Sequence, residues 1–476
     1  MNLSLIIAIT LGYFLLLITI SWLTSRNASA STFYTANRQS PWYLVAFGMI
    51  GASLSGVTFI SVPGEVGSTQ FAYFQMVLGY IPGYLIVALV LLPLYYRLQL
   101  ITIYAYLEKR LGYWAYKTGA FYFILSRVIG SSFRMFLVAG VLQLAIFDAL
   151  NVPFWLTVLI AIGLIWLYTF QGGIKTIVFT DTLQTFFMLA AVIASIILIT
   201  QEMDWTYQEA IANIQSSPYS KTFFWDNSAQ NFFKQFFSGM FIVIVMTGLD
   251  QDMMQKNLTC RNLKDAQKNI YWFSGILIFV NLLFLSLGAL LYLYAQDKGI
   301  SIPERTDNLF PILAIEHFST FAGILFLLGI TAAAYSSADS ALTSLTTTFC
   351  VDFLNIEPGK NTNEKPIRLA VHFGFSILIF LVIVCFEAIS NDSVINGVFR
   401  AAGYTYGPLL GLFSFGLFTK LEVKDMWVPL VCIAAPILSY IINLQAPKWI
   451  GYQFGFEILI VNGFLTFLGL LLISRK

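Results

Sequence analysis

Charge is what this 476-residue sequence has least of: Asp, Glu, Lys and Arg make up 11% of it, against 58% hydrophobic residues. A water-soluble chain of this length has no means of hiding so much apolar surface, so soluble classes are excluded and the chain reads as a membrane protein. Histidine and cysteine are also scarce. His317 and His372, with Cys260, Cys350, Cys385 and Cys432, show neither CxxC nor CxxxH spacing, which argues against a zinc site and a disulfide framework. The net charge is only +2, without a basic stripe for nucleic acid. Alternating strand periodicity is missing, which excludes a transmembrane barrel. There is no repeated filter motif of the kind a channel needs. Nor is there a nucleophile with its base, a metal set or a phosphate loop, so an enzyme is the least favoured class.

What is present is a series of long apolar runs, at about 2 to 24, 42 to 65, 71 to 98, 114 to 149, 153 to 171, 177 to 201, 230 to 250, 270 to 295, 317 to 350, 366 to 388, 394 to 418, 426 to 444 and 452 to 473. They predict an all-α polytopic protein of about thirteen transmembrane helices, each able to cross a hydrocarbon core of about 30 Å. The run from Leu3 to Leu23 lacks a basic leader and an A-x-A cleavage site and reads as a spanning helix rather than a signal peptide. Two loops are long, Gln201 to Asn231 outside and Asp250 to Asn269 inside, so function is expected in the helices.

Orientation follows from Lys and Arg. With the N-terminus outside and the C-terminus cytoplasmic, inner segments hold eighteen of the 26, including Lys256, outer segments hold five, and Arg127, Arg134 and Arg400 lie within helices. That bias predicts this topology in the cytoplasmic (plasma) membrane.

Three stretches carry chemistry. The second run contains Phe47 to Phe59, a cluster of Gly, Ser and Thr at mid-membrane depth that serves either close helix packing or a break whose freed carbonyls hold a cation. In the ninth run, Ser336, Asp339, Ser340 and Thr343 share one helix face, a carboxylate among hydroxyls. Buried charge in a spanning helix is costly and marks a partner or an ion path, and an all-oxygen donor set suits a hard cation. Gln171 to Thr185 makes a glycine turn and then sets Asp181 about one turn into the sixth helix, at a depth matching the Ser336 cluster; its competing role is a helix cap.

These residues resemble the sodium/solute symporter family, which includes sodium/glucose, proline, iodide, multivitamin and sialic acid transporters. The resemblance rests on Gly172-Gly173 with Thr180 to Thr185, the Ser336-Ser337 pair, Val62 to Glu65, Tyr104 to Arg110, and Asp250-Gln251 with Gln255-Lys256. It implies a leucine-transporter-like fold with 5+5 inverted repeats, about 42–201 and 230–418, after a peripheral helix at 2–24 and before two C-terminal helices within 426–473. It also implies a principal sodium site from the carbonyls of Gly51, Leu54 and Ala333 with the hydroxyls of Ser336 and Ser337. A second cation site would use Asp181, Ser336, Asp339 and Ser340, where Asp339 departs from the usual hydroxyl residue, so the cofactor is one or two sodium ions. The solute would lie beside Ser53, Ser55 and Thr58, with Gln75, Arg134 and Arg400, and Met246 would stand where sugar transporters place a gating tyrosine.

The function expected is sodium-coupled import of a small polar or anionic organic solute by alternating access, needing the bilayer and the solute but no protein partner or nucleic acid. A transporter-like solute sensor and a proton-coupled symporter are the alternatives. For the two arginines, structural pairing of Arg134 with Asp339, and of Arg400 with Glu387 or Asp392, competes with a role in holding an anion.

Overall fold

The computed structural model describes residues 3–25, 30–169, 173–356, 364–389 and 394–475. Its main helices, in chain order, are α1 (Leu3–Ser25), α2 (Trp42–Thr69), α3 (Tyr73–Leu98), α4 (Tyr113–Leu150), α5 (Phe154–Thr169), α6 (Gly173–Glu202), α7 (Phe232–Gly248), α8 (Gln251–Asn257), α9 (Leu263–Asp297), α10 (Thr320–Phe353), α11 (Glu364–Ile389), α12 (Val394–Thr405), α13 (Gly407–Phe418), α14 (Val428–Ile450) and α15 (Ile458–Leu472). Among the described residues nine helices are long and apolar enough to cross a membrane, ten if α7 and α8 form one bent span; α5, α13 and α15 are shorter apolar helices. The only strand pairing is a two-residue antiparallel clip, Glu422 with Arg475 and Val423 with Ser474, among those residues.

Large apolar side chains such as Leu15, Phe279 and Ile450 point outward, as a surface facing acyl chains requires. The interior is mostly apolar, with a polar stripe embedded in it. Helix α10 buries Ser336, Ser337, Asp339, Ser340, Thr343 and Ser344, and it packs against α6 and α2, which also pack on each other. Close approach of α2 to α6 depends on Gly51, where an added Cβ would collide with Thr185.

Two spans are interrupted. Helix α2 leaves helical geometry at Ser55, with φ 28° and ψ 172°, within the small-residue cluster expected to unwind. Helix α7 ends in a wide turn over Ile244–Gly248, and after Leu249 and Asp250 the chain resumes as α8, bent by 68°. Asp250 caps α8, its Oδ1 accepting the amides of Asp252 and Met253 at 2.9 and 3.3 Å. This corrects the sequence expectation of an inner loop from Asp250 to Asn269. Asp250, Asp252 and Lys256 are buried because they meet opposite charges from other helices, so Lys256 is no loop cation.

Two boundaries also differ. The run at 394 to 418 divides at Tyr406, and Pro408 sits in the first turn of the new helix, where its missing N–H leaves no bond unmade. The sixth helix starts at Gly173 rather than 177, so Asp181 lies two turns in, wholly buried, and does not cap it.

Candidate functional site

The break in α2 opens onto a cavity between α2, α3, α4, α7, α9 and α12. Ser53, Ser55 and Thr58 line it from α2, Arg127 and Arg134 from α4, and Met246 and Thr247 from the wide turn of α7. Tyr73, Tyr80 and Phe399 add aromatic wall, with Tyr73 and Phe399 stacked at 6.5 Å between ring centres. A mixed lining of a few polar groups on an apolar and aromatic wall is what a small-solute site requires.

Arg134 is half-buried on this wall and makes no ion pair among the described residues; its Nε has no hydrogen-bond partner. Its pairing with Asp339 is not formed: Asp339 Oδ2 accepts the Tyr168 hydroxyl at 3.0 Å, and Oδ1 accepts the Ser340 amide at 2.5 Å. Arg127 is paired. Its guanidinium bridges Asp250 and, at 3.1 Å, Asp252 Oδ2, while the Tyr406 hydroxyl donates to the other oxygen of Asp250. Gln75 and Arg400 lie off the cavity wall. Gln75 is fully buried, donating to the carbonyls of Ala72 and Gln230 at 3.2 and 2.8 Å and accepting from the Phe224 amide at 3.1 Å; Arg400 is exposed. Asp392 lies outside the described residues.

Beneath the cavity, α2, α6 and α10 are joined by one chain of hydrogen bonds. The Gly51 amide donates to Thr185 Oγ1 at 3.0 Å, Thr185 donates to the Asp181 carbonyl at 2.7 Å, and the Ser336 hydroxyl donates to Asp181 Oδ1 at 2.7 Å. Ser337 leans on the Ala333 carbonyl at 3.4 Å. Asp181 Oδ2 faces the buried Lys256 ammonium at 2.7 Å, and Ser340 donates to Asp252 Oδ1. Asp181, Ser336, Ser337, Asp339 and Ser340 are thus buried together, next to the α2 segment that holds Gly51 and Leu54.

The sodium:solute symporter family description matches residues 33–423. The chain belongs to that family. Along its length the symporter is 25% identical over 409 residues to the sodium/sialic acid symporter NanT of Aliivibrio fischeri, covering 83% of this chain and 79% of that one. It is 24% identical over 446 residues to a putative sodium-dependent multivitamin transporter of Drosophila melanogaster, covering 90% and 70%. The fold of the symporter superposes with a TM-score of 0.84, over 99% of both chains at 17% identity, on the substrate-bound outward-open state of a Na⁺-coupled sialic acid symporter. It is the leucine-transporter-like fold, and the symporter is a multi-pass, sodium-coupled transporter of a small-molecule solute working by alternating access, not an enzyme.

Reasoning from sequence missed the partners that make this site: Arg127, Asp252, Lys256, Tyr168 and Tyr406. The available signal was the spacing of Asp250, Asp252 and Lys256, an N-cap, a second carboxylate and an ammonium within two helical turns of a spanning segment.

Proposed function

We propose that the symporter imports a small organic anion with sodium through the plasma membrane, the N-terminus outside and the C-terminus cytoplasmic. The observation that carries the anion reading is Arg134: a guanidinium that stays charged, set in the cavity wall without an acidic partner among the described residues. A bound carboxylate would meet it with the two-pronged geometry that guanidinium favours. Sialic acid relatives support the same reading. Ser53, Ser55 and Thr58 would contact the polar body of the solute, while Gln75 and Arg400 would act at a distance from it, Gln75 by holding the outer loop against α3.

Sodium would bind where the carbonyls of Gly51, Leu54 and Ala333 meet the hydroxyls of Ser336 and Ser337, with Asp181, Ser336, Asp339 and Ser340 forming a second cation position. Burial of hydroxyls around the carboxylates of Asp181 and Asp339, an all-oxygen set, supports a hard monovalent cation here. The two interrupted helices, α2 and the α7–α8 pair, would be corresponding members of two inverted halves, about 42–201 and 230–418. Uptake into sodium-loaded and sodium-free proteoliposomes, across acidic sugars, monocarboxylates and neutral hexoses, tests the proposal. Sodium-dependent, saturable uptake of the acids supports it; preference for an uncharged solute removes the anion reading.

A further inference from the structure

Both oxygens of the Asp181 carboxylate are engaged before any ion arrives. Oδ1 accepts the Ser336 hydroxyl, and Oδ2 faces the Lys256 ammonium, each at 2.7 Å. Lys256 is 1% exposed, and its Nζ makes no well-angled hydrogen bond among the described residues, so what it brings to Asp181 is a compact positive charge rather than a donor network. Asp252 and Asp339 are its further acidic neighbours. The position therefore already has what a bound monovalent cation supplies: one positive charge, close to the carboxylate, shielded from water.

A sodium ion at Asp181 would share that carboxylate with the ammonium, and two like charges in a buried site a few ångströms apart repel strongly. The ammonium cannot diffuse away. It is anchored on α8, whereas Asp181 stands on α6 and Ser336, Asp339 and Ser340 on α10. We propose that Lys256 is a tethered cation that fills the second cation position, so that the symporter carries one sodium ion per turnover. The inference rests on the reading of Asp181, Ser336, Asp339 and Ser340 as a cation position. It also gives the bent α7–α8 pair a permanent ionic tie to α6, independent of sodium.

The test is stoichiometry from the ratio of radiolabelled sodium to radiolabelled solute taken up by the full-length protein in proteoliposomes. Because one sodium with a monovalent anion moves no net charge, uptake by the unaltered protein is also expected to be indifferent to an imposed membrane potential. The unaltered protein and Lys256→Arg are expected to move one sodium per solute. Lys256→Met, with the charge removed and the volume kept, is expected to move two, its Hill coefficient for sodium rising from about 1 to about 2. Should Lys256→Met not transport, sodium-dependent thermal stabilisation of the purified variant takes its place, with a steeper sodium dependence expected than in the unaltered protein. Two sodium ions in the unaltered protein, one in an active Lys256→Met, or unchanged sodium protection in an inactive one would overturn the tethered-cation proposal. Failure of the underlying reading looks different: Asp181→Asn would then alter neither stoichiometry nor sodium protection, in the unaltered or the Lys256→Met background.

Discussion

Ser336 and Ser337 are adjacent, yet their hydroxyls do different things. Ser336 donates its proton to Asp181, leaving its lone pairs free for a cation, whereas Ser337 makes only a long contact with the carbonyl one turn back. If both ligate sodium, each replaces part of the ion's hydration shell, and losing one such ligand costs about 1.4 kcal/mol, a factor of about ten in affinity. Ser336→Ala and Ser337→Ala should each raise the sodium concentration for half-maximal uptake by about that factor; unchanged values in both would reject the principal site. Arg134→Lys keeps the charge but loses the planar fork, so the half-saturating solute concentration should rise more than that for sodium. Arg400 lies off the cavity wall, so Arg400→Lys should raise the half-saturating solute concentration less than Arg134→Lys does. Arg127 has a different task. Replacing it with Met leaves Asp250 and Asp252 buried without their cation, and a loss of about 3–5 kcal/mol in stability is expected, visible as a lowered unfolding temperature in detergent.

At the scale of elements, the interruption of α2 was legible because Ser, Gly and Thr cluster there and a spanning helix seldom spends mid-membrane positions on them without cause. The dihedrals at Ser55 lie where a β-branched side chain is strongly disfavoured. Ser55→Gly should therefore keep the break and lose only the hydroxyl's contact, leaving sodium-dependent uptake with a raised half-saturating solute concentration, and Ser55→Val should abolish uptake while the protein still inserts; equal activity of the two would show that the break is not needed. The α7–α8 bend was not legible. Asp250, Asp252 and Lys256 look like loop residues because their burial is made possible only by Arg127 and Asp181, more than 60 residues away in sequence, and their spacing, though it suits a helix, does not name those partners. The same reason applies at Gln75, where family resemblance implies a solute contact: its hydrogen bonds to the backbone of Gln230 and Phe224 come from a loop distant in sequence.

For the whole molecule, composition and apolar runs were enough to reveal the polytopic helical class, while the arrangement that couples solute to sodium depends on distant contacts. The cavity and the proposed cation position share α2: Ser53, Ser55 and Thr58 face the cavity, and Gly51 is tied through Thr185 to Asp181. Anything that fixes the break in α2 is felt at both, which is the physical basis for one ligand favouring the other. A potential of 100 mV contributes about 2.3 kcal/mol per elementary charge of net charge moved, so with one sodium and a monovalent anion it cancels and the sodium concentration gradient alone drives accumulation. The most direct measurement is therefore solute accumulation in sealed proteoliposomes under an imposed inward sodium gradient. The account predicts that solute rises above its external concentration only while the gradient lasts and drains when a sodium ionophore is added; equilibration to the external concentration, indifferent to sodium, would contradict it.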